Sequence, residues 1–385
     1  MWSDSRVSSN QEKGYSIRCY GILFILVVVI PYLLFRGKVD TIPESLQELE
    51  NEPENFDVDN LDDNYGAERD IYHIVLMYEH LKAASLCTPE TVIRSLFKGA
   101  TEGHTKPAEV WVWLSHLDQQ EEIFQGLEEY IDENKPLRDV KLRKLYLDFD
   151  DMMAGTPFEE FYKDKTPKQL GKYGDQNKGN GLRLVILQKY GGFYMDADML
   201  VINDPTILHD GVAQQSKGVY NNAAFKFSQP NHPILNILID DFIENYNGNK
   251  WGQQGPLLFS RVLKRKIPCT IRRDNKELEC KGIELDEPVK KWQTRQIYPL
   301  AWYSGYSMGK SYKFMVSKHK LNLNDPRETI MIHTWHKHSK LAEARLCKKS
   351  EDAYRNSFIG ILKSKHCPIT TDVVFKNKDD LDCKF

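Results

Sequence analysis

The sequence predicts an α/β protein whose parallel strands end at a ligand site, and three observations carry that reading. Residues 71–77 and 109–114 are short, apolar and β-prone, and the stretch between them opens on Thr88-Pro89 as a helix would, with Thr88 as cap and Pro89 in the first turn. Strand, helix, strand at this spacing builds a parallel unit whose ligand lies at the strand ends. Residues 182–189 then read as a helix buried on most of its surface, ended by Gly191-Gly192 and followed by Phe193-Tyr194-Met195 as a short buried strand. That strand runs into Asp196-Ala197-Asp198, two carboxylates one residue apart.

In order along the chain, the 385 residues carry a net charge of −3, and this balance argues against a nucleic-acid partner. Residues 20–35 are apolar and uncharged, bracketed by Arg18, Arg36 and Lys38. The run is a little shorter than the roughly 20 residues of a standard span, and Leu33-Leu34-Phe35-Arg36 offers no small-residue cleavage site. The reading is therefore a signal anchor, with residues 1–18 as a cytoplasmic tail and residues 19–36 as a single transmembrane segment. Residues 37–70 are acidic, hold Pro43 and Pro53, and have too little apolar surface to fold, so they are expected to form a disordered stem. Residues 71–385 are the lumenal body.

A second D-x-D, Asp148-Phe149-Asp150, lacks both the Gly-Gly approach and the long buried helix, and is expected to be structural. At Asp196 and Asp198 the two carboxylates repel, so a hard cation is their natural partner. Mg²⁺ or Mn²⁺ takes a few carboxylate oxygens and completes its shell with water and phosphate. A bare D-x-D is more often a solvated turn. The Gly-Gly, the aromatic pair and the helix carrying Arg183 favour the metal reading.

The segment LRLVILQKYGGFYMDAD resembles the sugar-nucleotide-binding segment of the DXD glycosyltransferases. Trp251-Gly252-Gln253-Gln254-Gly255-Pro256 resembles the W-G-x-Q-G-P signature of the alpha-1,4-glycosyltransferases, and His333-Thr334-Trp335 is similar to their H-x-W. The resemblance implies a GT-A-type fold, a Rossmann-like mixed sheet flanked by helices. It also implies a Golgi type II membrane enzyme, a Mn²⁺ (or Mg²⁺) cofactor, a UDP-sugar donor and retention of configuration. Galactose or N-acetylgalactosamine would pass from its UDP donor, in alpha-1,4 linkage, to a galactose- or N-acetylgalactosamine-terminated glycolipid. The alternatives within the resemblance are an alpha-1,4-N-acetylglucosaminyltransferase acting on glycoprotein glycans and a catalytically weak sugar-binding homologue.

The same resemblance implies the site. Asp196, Asp198 and His333 would hold the metal; Asn180, Arg183, Tyr194, Asn221, Asn222 and Gly255 would bind the donor; Gln254 and Asp198 would act in catalysis. One departure stands out: Gly179-Asn180 replaces the usual Ser-Asp ahead of Arg183, and Asn180 can hydrogen-bond but supplies no charge. Cys269 and Cys280 look like a family disulfide. Cys87, Cys347, Cys367 and Cys383 are unassigned, because six lumenal cysteines admit fifteen pairings. His336 and His338 are expected at the surface; with His333 they have no cysteine or carboxylate spacing to make a zinc site.

Two other classes compete. A Mg²⁺-dependent phosphohydrolase would use Asp196 as nucleophile and Asp198 as acid, but such enzymes want Thr or Val two residues on, where this chain has Leu200. A membrane-anchored sugar-binding protein without catalysis would keep the site and lose turnover.

Overall fold

The computed structural model describes residues 65–77, 81–216, 219–265, 269–271, 278–280, 297–298 and 329–376. The chain divides into two units, Met1–Leu61 and Asp62–Phe385. The first lies outside the described residues, as do the expected anchor and residues 37–64 of the expected stem. Among the described residues no helix is long and apolar enough to cross a membrane.

Strands β1 (Asp70–Leu76), β2 (Ala108–Leu114), β3 (Val140–Tyr146) and β4 (Gly192–Met195) alternate with helices α1 (Cys87–Thr101), α2 (Glu121–Asn134), α3 (Phe149–Met153) and α4 (Gly174–Tyr190). Further strands are β5 (Met199–Val201), β6 (Gly211–Ser216), β7 (Val219–Phe227), β8 (Cys269–Ile271), β9 (Leu278–Cys280), β10 (Ile297–Tyr298) and β11 (Met331–His333). Helices α5 (Pro233–Glu244) and α6 (Pro256–Arg265) follow β7, and α7 (His336–Lys349), α8 (Glu351–Arg355), α9 (Phe358–His366) and α10 (Pro368–Lys376) form the C-terminal part.

The main sheet has seven strands in the order β10-β6-β7-β4-β1-β2-β3. β4, β1, β2 and β3 are parallel neighbours, while β7 runs antiparallel to both β4 and β6. This is a mixed α/β sheet rich in parallel pairs. Every residue of β2 is buried, as expected of a parallel strand covered by helices on both faces. Its Ala108, Val110, Val112 and Leu114 join side chains of β1, α1 and α2 in one core with Val92, Ile93, Phe124 and Leu127.

Chain order turns back between β1 and β4: β2 and β3 extend from one side of β1, and β4 lies on the other. In open parallel sheets the crevice at such a reversal, at the carboxyl ends of the strands, is where ligands bind. Asp196 follows directly from the carboxyl end of β4, beside that of β1.

Two details differ from the sequence reading. α1 begins at Cys87, with Leu86 as a cap that makes no side-chain bond, so Thr88 is not the cap. Thr88 instead donates to Met199 O at 2.7 Å, Thr91 Oγ1 accepts from Val201 N at 3.1 Å, and Ser95 donates to Val201 O at 3.0 Å. Spaced on one helical face, these hydroxyls satisfy the edge of β5 that β11 leaves uncovered. The folded body also starts before Ile71. Tyr65 donates to Glu109 at 2.7 Å, Arg69 pairs with it at 2.6 Å, and Asp70 is already in register with Ala108. Glu109 is 1% exposed, so residues from the expected stem neutralise a buried carboxylate.

A disulfide joins Cys87 to Cys367, whose Cα atoms are 5.3 Å apart. Cys347 is disulfide-bonded as well. In the β8–β9 pair the backbone register sets Cys269 opposite Cys280.

Candidate metal and nucleotide-sugar site

The approach to the first carboxylate is fixed by backbone that only glycine tolerates well. α4 ends at Tyr190 with Gly191 (φ +66°) as its cap, and Gly192 follows with φ +95°. A Cβ on Gly192 would lie 2.6 Å from Ile71 O and 3.0 Å from His73 Nε2. His73, fully buried in β1, reaches the turn through Nε2, 2.8 Å from Gly191 O, while its Nδ1 accepts from Trp113 Nε1 at 3.2 Å. Burial holds this imidazole down at about 3, so it is neutral, with the proton on Nε2 donating to the carbonyl.

Past β4 the chain turns. Asp196 N bonds Ala223 O at 2.8 Å, and Met199 N closes the turn on Asp196 O at 3.1 Å. Asp198 is locked through its carbonyl, which accepts from both the backbone N and the hydroxyl of Thr334, each at 2.9 Å. β11 pairs antiparallel with β5 so that His333 lies opposite Met199, which brings its Nε2 to 3.2 Å from the Asp198 carboxylate. The ring is stacked on Trp335 at 3.7 Å between centroids.

Ligand atoms of Asp196, Asp198 and His333 all lie within 4.8 Å of one another. Burial pushes the Asp196 carboxyl above its usual range and the Asp198 charge adds to this, while Arg183 and His333 pull it back. Two carboxylates held this close and partly desolvated, with an imidazole facing them, form a hard O,O,N donor set that fits a divalent cation.

Arg183 is oriented from three directions: a 3.1 Å ion pair with Asp196, a 3.1 Å bond to Asn222 O, and its guanidinium 5.3 Å from the centre of the Tyr194 ring. Tyr194 in turn donates to Asp196 at 2.8 Å. These groups border a cavity of about 360 Å³ lined by Arg183, Tyr194, Asp196, Asp198, Thr334 and Lys363 among others. A second cavity of about 570 Å³ shares Val75, Gln176, Arg183 and Tyr194 with the first and adds Met77, Phe149, Asp150, Asp175, Lys178 and Gly179.

The other predicted residues are set back from both cavities. Asn222 donates to Asn180 at 2.8 Å, and Asn180 donates to Asn177 at 3.4 Å, all three buried. Gly255 packs on the same amides, so closely that a Cβ there would sit 3.1 Å from Asn222 and 3.3 Å from Asn180. Gln254 is completely buried and donates to Phe242 O; among the described residues its Oε1 has no partner, nor has Nδ2 of Asn221. Asn180, Asn222 and Gly255 thus reach the cavity through Arg183, and Gln254 lines neither space. Asn180, in the place of the usual Asp, meets an amide network that a carboxylate would have charged.

The second D-x-D has a different fate. The Asp148 side chain caps α3 by accepting from the backbone N of Asp150 and Asp151 at 2.9 and 3.1 Å, while Asp150 lines the second cavity. Thr334, Gln176 and Lys363 were missed in the sequence. Thr334 stands inside the H-x-W segment and was the one open to detection.

Residues 100–217 match the family described as a glycosyltransferase sugar-binding region containing the DXD motif, and residues 227–374 match the alpha 1,4-glycosyltransferase conserved region. The resemblance is to the DXD-containing alpha-1,4-glycosyltransferases. Lactosylceramide 4-alpha-galactosyltransferase of Mus musculus is 29% identical over 58% of this chain and 56% of its own length. The protein of that name from Pongo pygmaeus is 27% identical over 60% of this chain and 97% of its own. Human alpha-1,4-N-acetylglucosaminyltransferase is 26% identical over 58% of this chain and 59% of its own. The match therefore spans little more than half of the mouse relative. Among solved structures, PaToxG glycosyltransferase aligns at a TM-score of 0.33 and 17% identity, covering 52% of this chain and 69% of that one.

Proposed function

We propose that this chain is a GT-A-type, metal-dependent glycosyltransferase of the Golgi membrane. It would move galactose or N-acetylgalactosamine from a UDP donor, with retention, in alpha-1,4 linkage to a galactose- or N-acetylgalactosamine-terminated glycolipid. The observation that carries the reading is the convergence of Asp196, Asp198 and His333 at the carboxyl ends of the sheet, next to a cavity that a second, larger one adjoins. Donor, acceptor and linkage follow the names of the galactosyltransferase relatives. Transfer from an alpha-linked UDP-sugar to an alpha-linked product is retention.

Asp196, Asp198 and His333 would hold Mn²⁺ or Mg²⁺, which supplies positive charge to the departing diphosphate. Arg183, fixed by Asp196 and Asn222, orients the donor in the first cavity, and Tyr194 holds the Asp196 carboxylate in place. The second cavity receives the acceptor. Its mix of carboxylates (Asp150, Asp175) with Met77 and Phe149 suits a sugar, whose hydroxyls donate to carboxylates while its C–H face packs on apolar groups. Asn221 steadies the turn from behind: its Oδ1 accepts from the backbone N of Ala223, whose carbonyl holds Asp196 N.

The test is release of UDP by the Asp62–Phe385 unit across a panel of UDP-sugars and acceptors, with and without Mn²⁺. UDP release that needs both metal and a galactose-terminated glycolipid is the expected result. Turnover of UDP-N-acetylglucosamine on glycoprotein glycans would select the second enzyme of the family. Phosphate release without acceptor would indicate a phosphohydrolase, and binding without turnover a sugar-binding protein.

A further inference from the structure

Among the described residues, two cationic side chains line the first cavity, Arg183 and Lys363. Arg183 already serves Asp196 and the carbonyl of Asn222. Lys363 enters from α9, far along the chain, and is 8% exposed, with Nζ 2.8 Å from the carboxylate of the fully buried Glu343. Its position is fixed from two sides. The residue four places on, Cys367, is bonded to Cys87, itself a lining residue of the cavity. Both oxygens of the Glu90 carboxylate, on α1, then accept from the backbone N of Ile369 and Thr370 at 3.0 and 2.8 Å, clamping the start of α10. The last of the described helices are thereby tied to the wall that carries Asp196 and Asp198.

We propose that Lys363 binds the diphosphate of the nucleotide-sugar donor and stabilises it as it leaves, a role that rests on the glycosyltransferase reading. In that transfer the C1–O bond of the sugar phosphate breaks with its electron pair going to the β-phosphate oxygen. The acceptor hydroxyl oxygen bonds to C1, and its proton passes to the departing diphosphate. An ammonium held in a mostly buried wall meets the growing charge without reorganising, which makes it more effective there than in water. Lysine binds phosphate as a compact point charge, while the guanidinium of Arg183 is already engaged by the Asp196 carboxylate and the carbonyl of Asn222.

The experiment measures binding of UDP and of uridine to the full chain in detergent with Mn²⁺, by calorimetry. The Lys363→Met/Glu343→Gln double variant removes both charges together and leaves no buried ion unpaired. Lys363→Gln, whose amide can still donate to Glu343, carries the same test if the double variant does not fold. Either variant should weaken UDP roughly 10- to 100-fold, the worth of a charge-assisted hydrogen bond, and leave uridine unchanged, and Lys363→Arg should restore most of the loss. Equal UDP affinity in variant and wild type, or an equal loss for uridine and UDP, overturns the assignment while leaving the glycosyltransferase reading intact. A wild-type chain that binds no UDP removes both.

Discussion

Asp196-Ala197-Asp198 and Asp148-Phe149-Asp150 have the same spacing and both follow a parallel strand, yet the structure uses them differently. At the second, Asp148 turns back to cap a five-residue helix, and Asp150 is exposed at the rim of a cavity. At the first, Arg183, Tyr194 and His333 all converge on the carboxylates, and His333 arrives from 135 residues away. Two carboxylates one residue apart are therefore not a metal site by spacing. The first pair gains an imidazole and a cation in the wall beside it, and the arrival of that imidazole requires strand pairing between β5 and β11.

The largest difference between the two motifs should appear on removing one charge from each. Asp198→Asn keeps size and removes a ligand, so turnover should fall by about two to three orders of magnitude with folding intact. Mn²⁺ plus UDP should raise the melting temperature of the wild type and not of this variant. Full activity in Asp198→Asn would erase the distinction.

Next in size is the glycine approach that only the first motif has. Gly192→Ala places a Cβ against Ile71 O at a φ unsuited to alanine, and should cost about 1–3 kcal/mol in denaturant melts. An Ala variant as stable as wild type would mean that the turn is not fixed as described.

The third prediction uses pH. His73, which bonds Gly191 in that same turn, has its folded value lowered from 6.5 to about 3. The unfolded chain therefore binds a proton in this window that the folded chain refuses. Its contribution is complete above about 6.5 and is lost as pH falls toward 3, by at most about 1.4 kcal/mol per pH unit. His73→Asn should flatten that part of the stability profile; an unchanged slope would remove His73 as its source.

The smallest effect belongs to the second motif. Asp148→Asn preserves a good capping side chain and should change stability by a few tenths of a kcal/mol, whereas Asp148→Ala should cost about 1 kcal/mol. Neither should alter turnover per folded molecule. A folded but inactive Asp148→Asn would give the second motif a role in the chemistry.

The sequence made the first motif visible because its signals are local. A buried helix, two glycines at positive φ and a short apolar strand lie within about twenty residues, and each rests on backbone sterics or on apolar periodicity. The α/β class was legible for the same reason, since β1, β2 and α1 announce themselves by apolar runs and punctuation. Polar residues misled where they served distant partners. Thr88 looks like a cap and instead bonds Met199. Residues 65–70 look like stem because a charged stretch does not reveal that Arg69 and Tyr65 will meet Glu109.

By itself, then, the sequence determined the strand–helix alternation, the turn after α4 and the pair of carboxylates, all consequences of interactions between near neighbours. Tertiary structure alone decided which D-x-D gains an imidazole, that Cys87 pairs with Cys367 across 280 residues, and that Lys363 is carried to the cavity. The physical reason is that a charge is buried at acceptable cost only beside its partner and a disulfide forms only where two thiols meet, and the partner's place is set by sheet register and helix packing.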